Sequence, residues 1–251
     1  MRVLIKHSQK LGLMKAKGNL MNNEVELMGY YGSDETHALS AWTSTSRDLD
    51  DDKRGRMGGL LNMLAEAGHH TPFEKSSFHF LVTTDIASHI HLIKHRVGVS
   101  VNAESARYKE LKEDKYLLPQ DWEDILSSEF MEVGYDYGVM DTIGYEGGER
   151  WLNILESYTK IGNKMYHQCM DDLTPILGRK RAKESARFFK TYNSQITADV
   201  MFNFRSFAHF LNLRNKPDAQ LEIREIAATM LEQVKNIEGN PFKLTLEAFG
   251  L

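Results

Sequence analysis

The sequence predicts a mixed α and β fold with few strands and long helices, from three observations. Apolar residues recur at helical spacing over several long segments, whereas period-two alternation is confined to short runs. Strand and helix signals do not alternate regularly, and no G-x-G-x-x-G sequence occurs, so a Rossmann nucleotide fold is not expected. The 251 residues, of which 41% are hydrophobic, are expected to form a single domain (1–251) with a substantial core.

The first part of the chain carries signals for two helices and one strand. Residues 57–67 place leucines at helical spacing, and Gly68 follows as a helix stop. Residues 78–83 alternate in polarity, which predicts a strand. Asp85 is a residue type that caps helices, and a helix is predicted from it through His95.

Helix dominates from Glu149 onward. Along this segment apolar and small residues step by three and four, which predicts an amphipathic helix. The predicted buried seam is Trp151, Leu155, Tyr158, Gly162, Met165 and Cys169. Residues 181–189 predict a further helix, and the glycine- and tyrosine-rich residues 134–148 predict a surface loop.

The remaining segments predict an extended run and a last long helix. Residues 201–206 alternate, and Pro217 is a residue type that opens helices. The predicted buried face of that last helix is Ile223, Ile226, Ala227, Met230 and Val234. Residues 97–108 contain too many small and polar side chains for a core helix.

Charge and cysteine content exclude several classes of protein. With 31 Lys and Arg against 35 Asp and Glu the net charge is −4, which argues against a nucleic-acid-coating role. The single cysteine, Cys169, excludes an internal disulfide, a thiolate zinc cluster and an iron–sulfur site, and its position favours a core thiol over a nucleophile. No apolar run suits a signal peptide or a membrane span, so a cytoplasmic protein without a membrane partner is expected.

Chemically versatile side chains are concentrated in residues 69–74, 94–108 and 203–214. The first segment is either a turn with a satisfied histidine or a place where Thr71 and backbone donors meet a ligand. The second interleaves cations, serines and a carboxylate with small residues, which favours a partly buried site for an anionic ligand. The third is either a core helix whose arginines reach solvent or a site for a flat, phosphorylated heterocycle.

A metal site is a weaker alternative. His91 and His95 are spaced i, i+4, as two zinc ligands on one helix would be. Leu92 follows His91 where the H-E-x-x-H sequence has its catalytic glutamate, and no third ligand is indicated. The acidic residues 48–54 lack the glycine of a calcium loop and predict a solvated loop or a helix start. We therefore expect no catalytic metal.

Taken in order, the segments resemble the flavin-dependent thymidylate synthases. The hallmark of that family, R-H-R-x7-S continuing into S-[GA]-R-Y, is matched by K-H-R and S-A-R-Y, and H-x-T-P-F-E-H by H-H-T-P-F-E-K. The matching stretches are residues 69–75, 94–96, 105–108, 184–187, 203–206, 210–214 and 219–223. The resemblance covers about residues 32–225.

The resemblance implies a fold, a reaction and an assembly. The fold would be a central, mainly antiparallel sheet flanked by long helices, and four identical chains would build active sites where they meet. The enzyme would transfer a methylene group from 5,10-methylenetetrahydrofolate to C5 of dUMP. FAD would supply the reduction and NADPH would restore the reduced flavin.

The resemblance also implies site residues. The residues that would bind dUMP are His91, Lys94, Glu104, Ser105, Ala106, Arg107, Arg187 and Arg214. The residues that would bind FAD are Thr71, Lys94, His95, Arg96, Glu104, Asn203, Arg205 and His209. Arg214 would be catalytic, since a fixed cation facing uracil favours its N3-deprotonated form. Ser105 is expected to bind rather than attack, because no histidine base is placed beside it.

Several positions depart from the family pattern. They are Lys94 for the first arginine, one extra residue between Arg96 and Ser105, a shifted glutamate at Glu104, His91 for glutamine, His209 for asparagine and Asp218 for histidine. Two other functions remain as alternatives: a non-catalytic nucleotide- or RNA-binding module using residues 94–108, and a metal-dependent hydrolase using His91 and His95. Bound flavin distinguishes the synthase from the nucleotide- or RNA-binding module. Loss of activity with chelators identifies the metal-dependent hydrolase.

Overall fold

The computed structural model describes residues 22–46, 48–119, 122 and 147–251. Its centre is an antiparallel sheet of four strands in the order β1-β2-β4-β3. The strands are β1 Glu24–Tyr31, β2 Ser77–Asp85, β3 Val99–Ala103 and β4 Gln195–Asn203. The helices are α1 Asp34–Trp42, α2 Asp51–Glu66, α3 Ile86–Ile93, α4 Gly147–Ala186, α5 Phe204–Arg214, α6 Leu221–Lys235 and α7 Lys243–Ala248. The predicted antiparallel sheet with flanking helices is confirmed.

One face of the sheet forms the main core together with helices. Alternate residues of β2 and β4 point to that face, including the fully buried Phe80 and Phe202. Phe207 of α5 packs on both, with ring centroids 5.8 and 5.9 Å away. The opposite face carries polar pairs, such as His79 with Asp199 at 2.7 Å. The sheet therefore anchors α5, the helix that contains most of the third polar segment.

Side-chain caps explain where strands become helices. Asp85, the last residue of β2, accepts a hydrogen bond from Ser88 N at 2.8 Å and so starts α3. Asn203, the last residue of β4, accepts from Ser206 N at 2.8 Å and starts α5. Because β2 and β4 are antiparallel, α3 and α5 begin at opposite ends of the sheet.

Most predicted elements are confirmed, with changed boundaries. The helix over residues 57–67 begins earlier, after the cap Asp50, so the acidic run is a helix start. The strand over 78–83 and the buried face of the last helix are as predicted. The prediction that His95 lies in a helix is wrong, because α3 ends at Ile93.

The later elements also begin or end at residues other than those predicted. The extended run of 201–206 ends at Asn203, where the cap turns the chain into α5. Pro217 does not open α6, which begins at Leu221. The further helix predicted over 181–189 is confirmed with changed boundaries: Gly178 (φ 77°, ψ 152°) is non-helical and divides α4, and the segment after it continues to Ala186 and then a 3-10 turn at Arg187–Phe189. The predicted loop over 134–148 lies almost entirely outside the described residues, and its last two residues begin α4.

The predicted seam of α4 is wrong by one position. Trp151, Tyr158 and Met165 are 38%, 61% and 45% exposed, and Cys169 is only partly buried. The buried positions are Leu152, Thr159, Gly162, Asn163, Tyr166 and Met170, one residue further on except at the shared glycine. The reason is that the buried face is held by polar contacts. Thr159 donates to Asn193, and Asn163 accepts from Lys190. Hydrophobic spacing alone does not reveal such a contact.

Candidate active site

The start of α5 is locked to the turn before β3. Asn203 N donates to Gly98 O at 3.0 Å, and Ser206 Oγ donates to Val97 O at 2.6 Å. Gly98 has φ +64°, and a Cβ there would lie 2.3 Å from Asn203 Nδ2. Only glycine fits this approach. The contact joins the second and third polar segments.

The other end of α5 carries Arg214. Its Nε donates to Nε2 of His95 at 3.1 Å. The His95 ring is buried, with its centroid 5.0 Å from that of Phe210 and 6.0 Å from that of His209. Burial, together with the smaller effects of the nearby Arg214, His209 and His91, lowers the pKa of His95 to about 4. His95 is therefore a neutral imidazole at neutral pH.

The first polar segment reaches the same helix through an ion pair. Arg205, in the first turn of α5, donates through Nη1 to Oε1 of Glu74 at 2.5 Å. Phe73 is fully buried and anchors the 3-10 turn Thr71–Glu74 against Phe204, while Thr71 stays exposed. The residues predicted to bind FAD that gather around α5 are thus Thr71, His95, Arg96, Asn203, Arg205 and His209.

A second group of predicted residues follows β3. Arg107 donates through Nε to Oε1 of Glu184 at 3.1 Å, and both Arg107 and Arg181 lower the pKa of Glu184. Glu104 accepts from Thr197 N at 3.1 Å and from Lys109 Nζ at 2.6 Å. Both Glu104 oxygens are therefore engaged within the chain, where they hold the end of β3 to β4.

Strand β3 separates the two groups. Val99 lies opposite Phe202 and Ala103 opposite Ala198, and four residue steps of a strand span about 13 Å. Rings link His95 through Phe210 to Phe202, so Arg214 lies near the Val99 end. Ser105 and Arg107 follow the other end. One chain therefore separates Arg214 from Glu104, Ser105 and Arg107, whereas His91 and Lys94 lie on the Arg214 side, next to His95.

Three predicted cations remain available for an anionic ligand. Lys94, Arg96 and Arg187 have no ion pair with any residue that the structure describes, and all three are exposed. Asp218, which replaces a family histidine, is offset by Lys216 at 3.1 Å. Lys94, Arg96 and Arg187 therefore keep charges that no described carboxylate pairs with. Such groups suit phosphate oxygens.

The structure offers little to a metal ion. Within residues 22–46, 48–119, 122 and 147–251, no three His, Cys, Asp or Glu side chains come together as a metal site. His91 lies in the last turn of α3, whereas His95 follows that helix and uses Nε2 to accept from Arg214. This geometry disfavours the zinc pair. The described residues also contain no helix that could cross a membrane.

Sequence reasoning missed the partners of the arginines. Glu74, Glu184 and His95 each accept from a predicted site arginine, yet each is 77 to 131 residues away along the chain. Glu74 and Glu184 fall within the motif stretches 69–75 and 184–187. Nothing in their local spacing indicates which arginine they contact, because that depends on how the helices pack.

Comparisons with known proteins agree on one group of relatives, the thymidylate synthases that use flavin. A family model described as thymidylate synthase complementing protein matches residues 26–238. A flavin-dependent thymidylate synthase of Rickettsia bellii is 32% identical over 219 residues, which cover 84% of this chain and 71% of that protein. One of Gluconobacter oxydans is 31% identical over 214 residues, covering 84% of this chain. This chain spans 66% of the Gluconobacter protein, about two thirds of its length.

Solved structures with the same architecture include a nucleotide-modifying enzyme. The crystal structure of a UMP/dUMP methylase, PolB from Streptomyces cacaoi, bound with 5-Br dUMP, superposes with a TM-score of 0.72. It is 27% identical, and the superposition covers 92% of this chain and 96% of that one. The same enzyme bound with 5-Br UMP gives a TM-score of 0.69 at 25% identity.

Proposed function

The chain belongs to the family of flavin-dependent thymidylate synthases, and on that premise we propose the reaction that it catalyses. The methylene group of 5,10-methylenetetrahydrofolate is transferred to C5 of dUMP and reduced by FADH2, giving dTMP and tetrahydrofolate. NADPH returns the oxidised flavin to its reduced form. The family match and the likeness to UMP/dUMP methylases support dUMP as the substrate.

The geometry of Arg214 is the observation that carries this proposal. Its Nε is bonded to His95 at 3.1 Å, while its terminal nitrogens have no hydrogen bond to any described residue. A guanidinium fixed in this way presents a permanent positive charge and two parallel donors to a planar ligand. Beside a uracil ring it stabilises the N3-deprotonated form, which raises the electron density at C5.

The surroundings of α5 fit a flavin dinucleotide. The free charges of Lys94 and Arg96 suit a pyrophosphate, and His209 offers an exposed ring for stacking. When bound, the flavin supplies the redox chemistry. We propose that Thr71, Lys94, His95, Arg96, Glu104, Asn203, Arg205 and His209 hold it, as the family resemblance implies. The single free Cys169 fits a reducing, cytoplasmic setting.

The separation of the two residue groups supports a site shared between chains. We propose a homotetramer in which His91, Lys94, Glu104, Ser105, Ala106, Arg107, Arg187 and Arg214 of different copies meet on dUMP. The exposed apolar stripe of α4 supports association, because Trp151, Tyr158, Ile161 and Met165 project from one side of the helix at 38% to 61% exposure. Stripes of this kind are typical of surfaces that another chain covers.

A spectrum and a turnover assay test the proposal together. The purified protein, supplied with FAD, is expected to show flavin absorbance that bleaches with NADPH. With dUMP and 5,10-methylenetetrahydrofolate it is expected to form dTMP. UMP is tested as a second acceptor in the same assay, because the solved neighbours are UMP/dUMP methylases. A colourless protein that takes up no FAD and forms no dTMP contradicts the proposal and favours a non-catalytic nucleotide-binding module.

A further inference from the structure

Arg214 is held by an acceptor of an unusual kind for a site arginine. Its Nε donates to the imidazole Nε2 of His95 at 3.1 Å. By contrast, Arg107 and Arg205 are held by the carboxylates of Glu184 and Glu74. A carboxylate orients a guanidinium but also cancels its charge, whereas a neutral imidazole orients it and leaves the charge in place.

The core fixes the position of His95. Its side chain is buried, and its ring meets that of Phe210 edge-on at 5.0 Å. Its backbone N–H donates to Leu92 O at 3.2 Å, which ties it to the end of α3. Leu92 is itself fully buried in the main core. The position of the acceptor that binds Arg214 is therefore set by the packing of His95 against Phe210 of α5 and by its bond to the end of α3.

The surroundings also fix the charge state of His95. Nε2 can accept a hydrogen bond only when it carries no proton, which leaves the proton of the neutral ring on Nδ1. Desolvation by burial and the positive charge of Arg214 both oppose a second proton, and so do His209 and His91. With the pKa of His95 lowered to about 4, the ring stays neutral across the pH range in which cells operate.

We propose that His95 is a positioning residue for Arg214, a neutral acceptor that fixes the guanidinium and leaves its whole charge to the bound pyrimidine. The inference rests on the proposed function, since it takes the developing negative charge on the uracil imide as the target. It gives His95 a role in methylation of dUMP that is separate from the flavin contact implied by the family resemblance.

Three substitutions separate orientation from charge. His95→Gln offers a neutral oxygen acceptor, His95→Glu a negatively charged one, and His95→Leu none. We expect His95→Gln to keep kcat for dTMP formation within a few-fold of wild type. We expect His95→Leu and His95→Glu to lower kcat by about a hundredfold, the effect of a misplaced or neutralised catalytic group, with little change in KM for dUMP. His167→Leu removes a comparable histidine hydrogen bond, to Asp114 at 2.9 Å, and serves as the control.

Flavin binding distinguishes the positioning of Arg214 by His95 from a contact between His95 and FAD. FAD affinity is measured by absorbance titration, and kcat is compared at FAD concentrations that saturate each variant; the positioning role predicts that the Gln variant then keeps kcat and the Leu and Glu variants do not. Loss of kcat in His95→Leu that parallels loss of bound FAD would assign His95 to the flavin site instead. Equal losses of kcat in the Gln, Glu and Leu variants with FAD retained would overturn the positioning role, because rescue by a neutral acceptor is its signature.

Nitrogen NMR of the protein without substrate tests the contact independently of turnover. We expect the His95 ring to show one protonated Nδ1 and an unprotonated Nε2 at pH 7. We expect the Arg214 Nε–H signal to show hydrogen bonding that His95→Leu removes and His167→Leu does not. A wild-type protein that forms no dTMP but gives these signals contradicts the proposed function alone. An active wild-type protein whose Arg214 signal is indifferent to His95→Leu contradicts this inference alone.

Discussion

Nε of Arg107 donates to Oε1 of Glu184 at 3.1 Å and so joins the turn after β3 to the end of α4. The carboxylate side chain is 18% exposed and also accepts from Arg181 at 3.3 Å. With Nε engaged, the two terminal nitrogens of Arg107 remain for a phosphate, for which a planar guanidinium fork is well suited. Glu184 therefore aims Arg107 rather than merely stabilising the surface.

Glu184→Ala is expected to raise KM for dUMP about tenfold, the effect of losing roughly one well-oriented charged hydrogen bond, with kcat little changed. Glu184→Gln, which keeps an acceptor oxygen, is expected to change KM much less. Steady-state kinetics with dUMP as the varied substrate measure both. Since the pair is partly exposed, the melting temperature should hardly change in either variant. A KM for dUMP in Glu184→Ala equal to that of wild type would show that Glu184 does not orient Arg107 for substrate binding.

Arg214→Ala is expected to lower dTMP formation by about 10² to 10³-fold, in line with loss of a preorganised charge in an active site. The fold should persist, because Arg214 is half-buried and its hydrogen bond is to a single side chain. Circular dichroism and bound FAD provide the controls. Arg214→Lys keeps the charge without the planar fork and should recover only part of the rate. Turnover near the wild-type rate in Arg214→Ala would show that another residue is catalytic.

Gly98→Ala is expected to lower stability by about 3 kcal/mol, the sum of a left-handed backbone penalty and overpacking. A Cβ at Gly98, where φ is +64°, would lie 2.3 Å from Asn203 Nδ2 and 2.5 Å from Ser206 Oγ. Gly55→Ala is the matched control, since it lies inside α2 and nothing is within 4 Å of a Cβ there. That variant should gain about 0.5–1 kcal/mol from helix propensity. Melting temperatures at equal protein concentration compare the two, and equal shifts would refute the tight approach.

Much of the fold could be predicted because local signals determine it. The apolar face of α6 and the caps Asp50 and Asp85 are fixed by residues within a few positions of each other. Strand β1 carries such a signal too: Val25 and Leu27 alternate with exposed glutamates, but the bulge after Leu27 interrupts the pattern. Its alternation is too short to predict a strand by itself.

The site was less predictable because long-range packing assembles it. Family motifs indicated the arginines, but the acceptors of those arginines follow from the docking of α3, α4 and α5. The buried face of α4 was misplaced for a related reason. Lys190 is buried against Asp114 and Asn163 at 2.6 and 2.7 Å, and these polar contacts draw Asn163 inward while Trp151 faces out. Hydrophobic spacing does not encode such pairs.

Stability is expected to fall as the pH drops from about 6.5 to 4, owing to His37. Its ring is fully buried between Ser76 Oγ at 2.8 Å and Thr245 Oγ1 at 2.9 Å, and burial lowers its pKa to about 4. Since the unfolded chain binds this proton near pH 6.5 and the folded one does not, acid favours unfolding by up to about 1.4 kcal/mol per pH unit. Below pH 4 both states are protonated and the dependence ends.

Urea unfolding at several pH values measures this slope. His95 adds to it in the same direction, and Asp34, whose pKa burial raises, opposes it. His37→Gln cannot titrate, so it should be less stable at pH 7 but show a shallower decline between pH 6.5 and 4.5. An unchanged slope in that variant would mean that another group controls the acid sensitivity.

Tyr158→Glu is expected to dissociate the proposed tetramer and to abolish dTMP formation at the same time. Tyr158 is 61% exposed in the middle of the apolar stripe of α4, where a partner chain would desolvate the new charge. Because β3 keeps Arg214 apart from Arg107 within one chain, a dissociated chain retains each half of the site but not the whole. Light scattering should give four times the 28.8 kDa chain mass for wild type and less for the variant. Asn62→Glu, which adds the same charge on the exposed side of α2, should leave mass and turnover unchanged. Full activity in a monomeric Tyr158→Glu protein would show that one chain suffices.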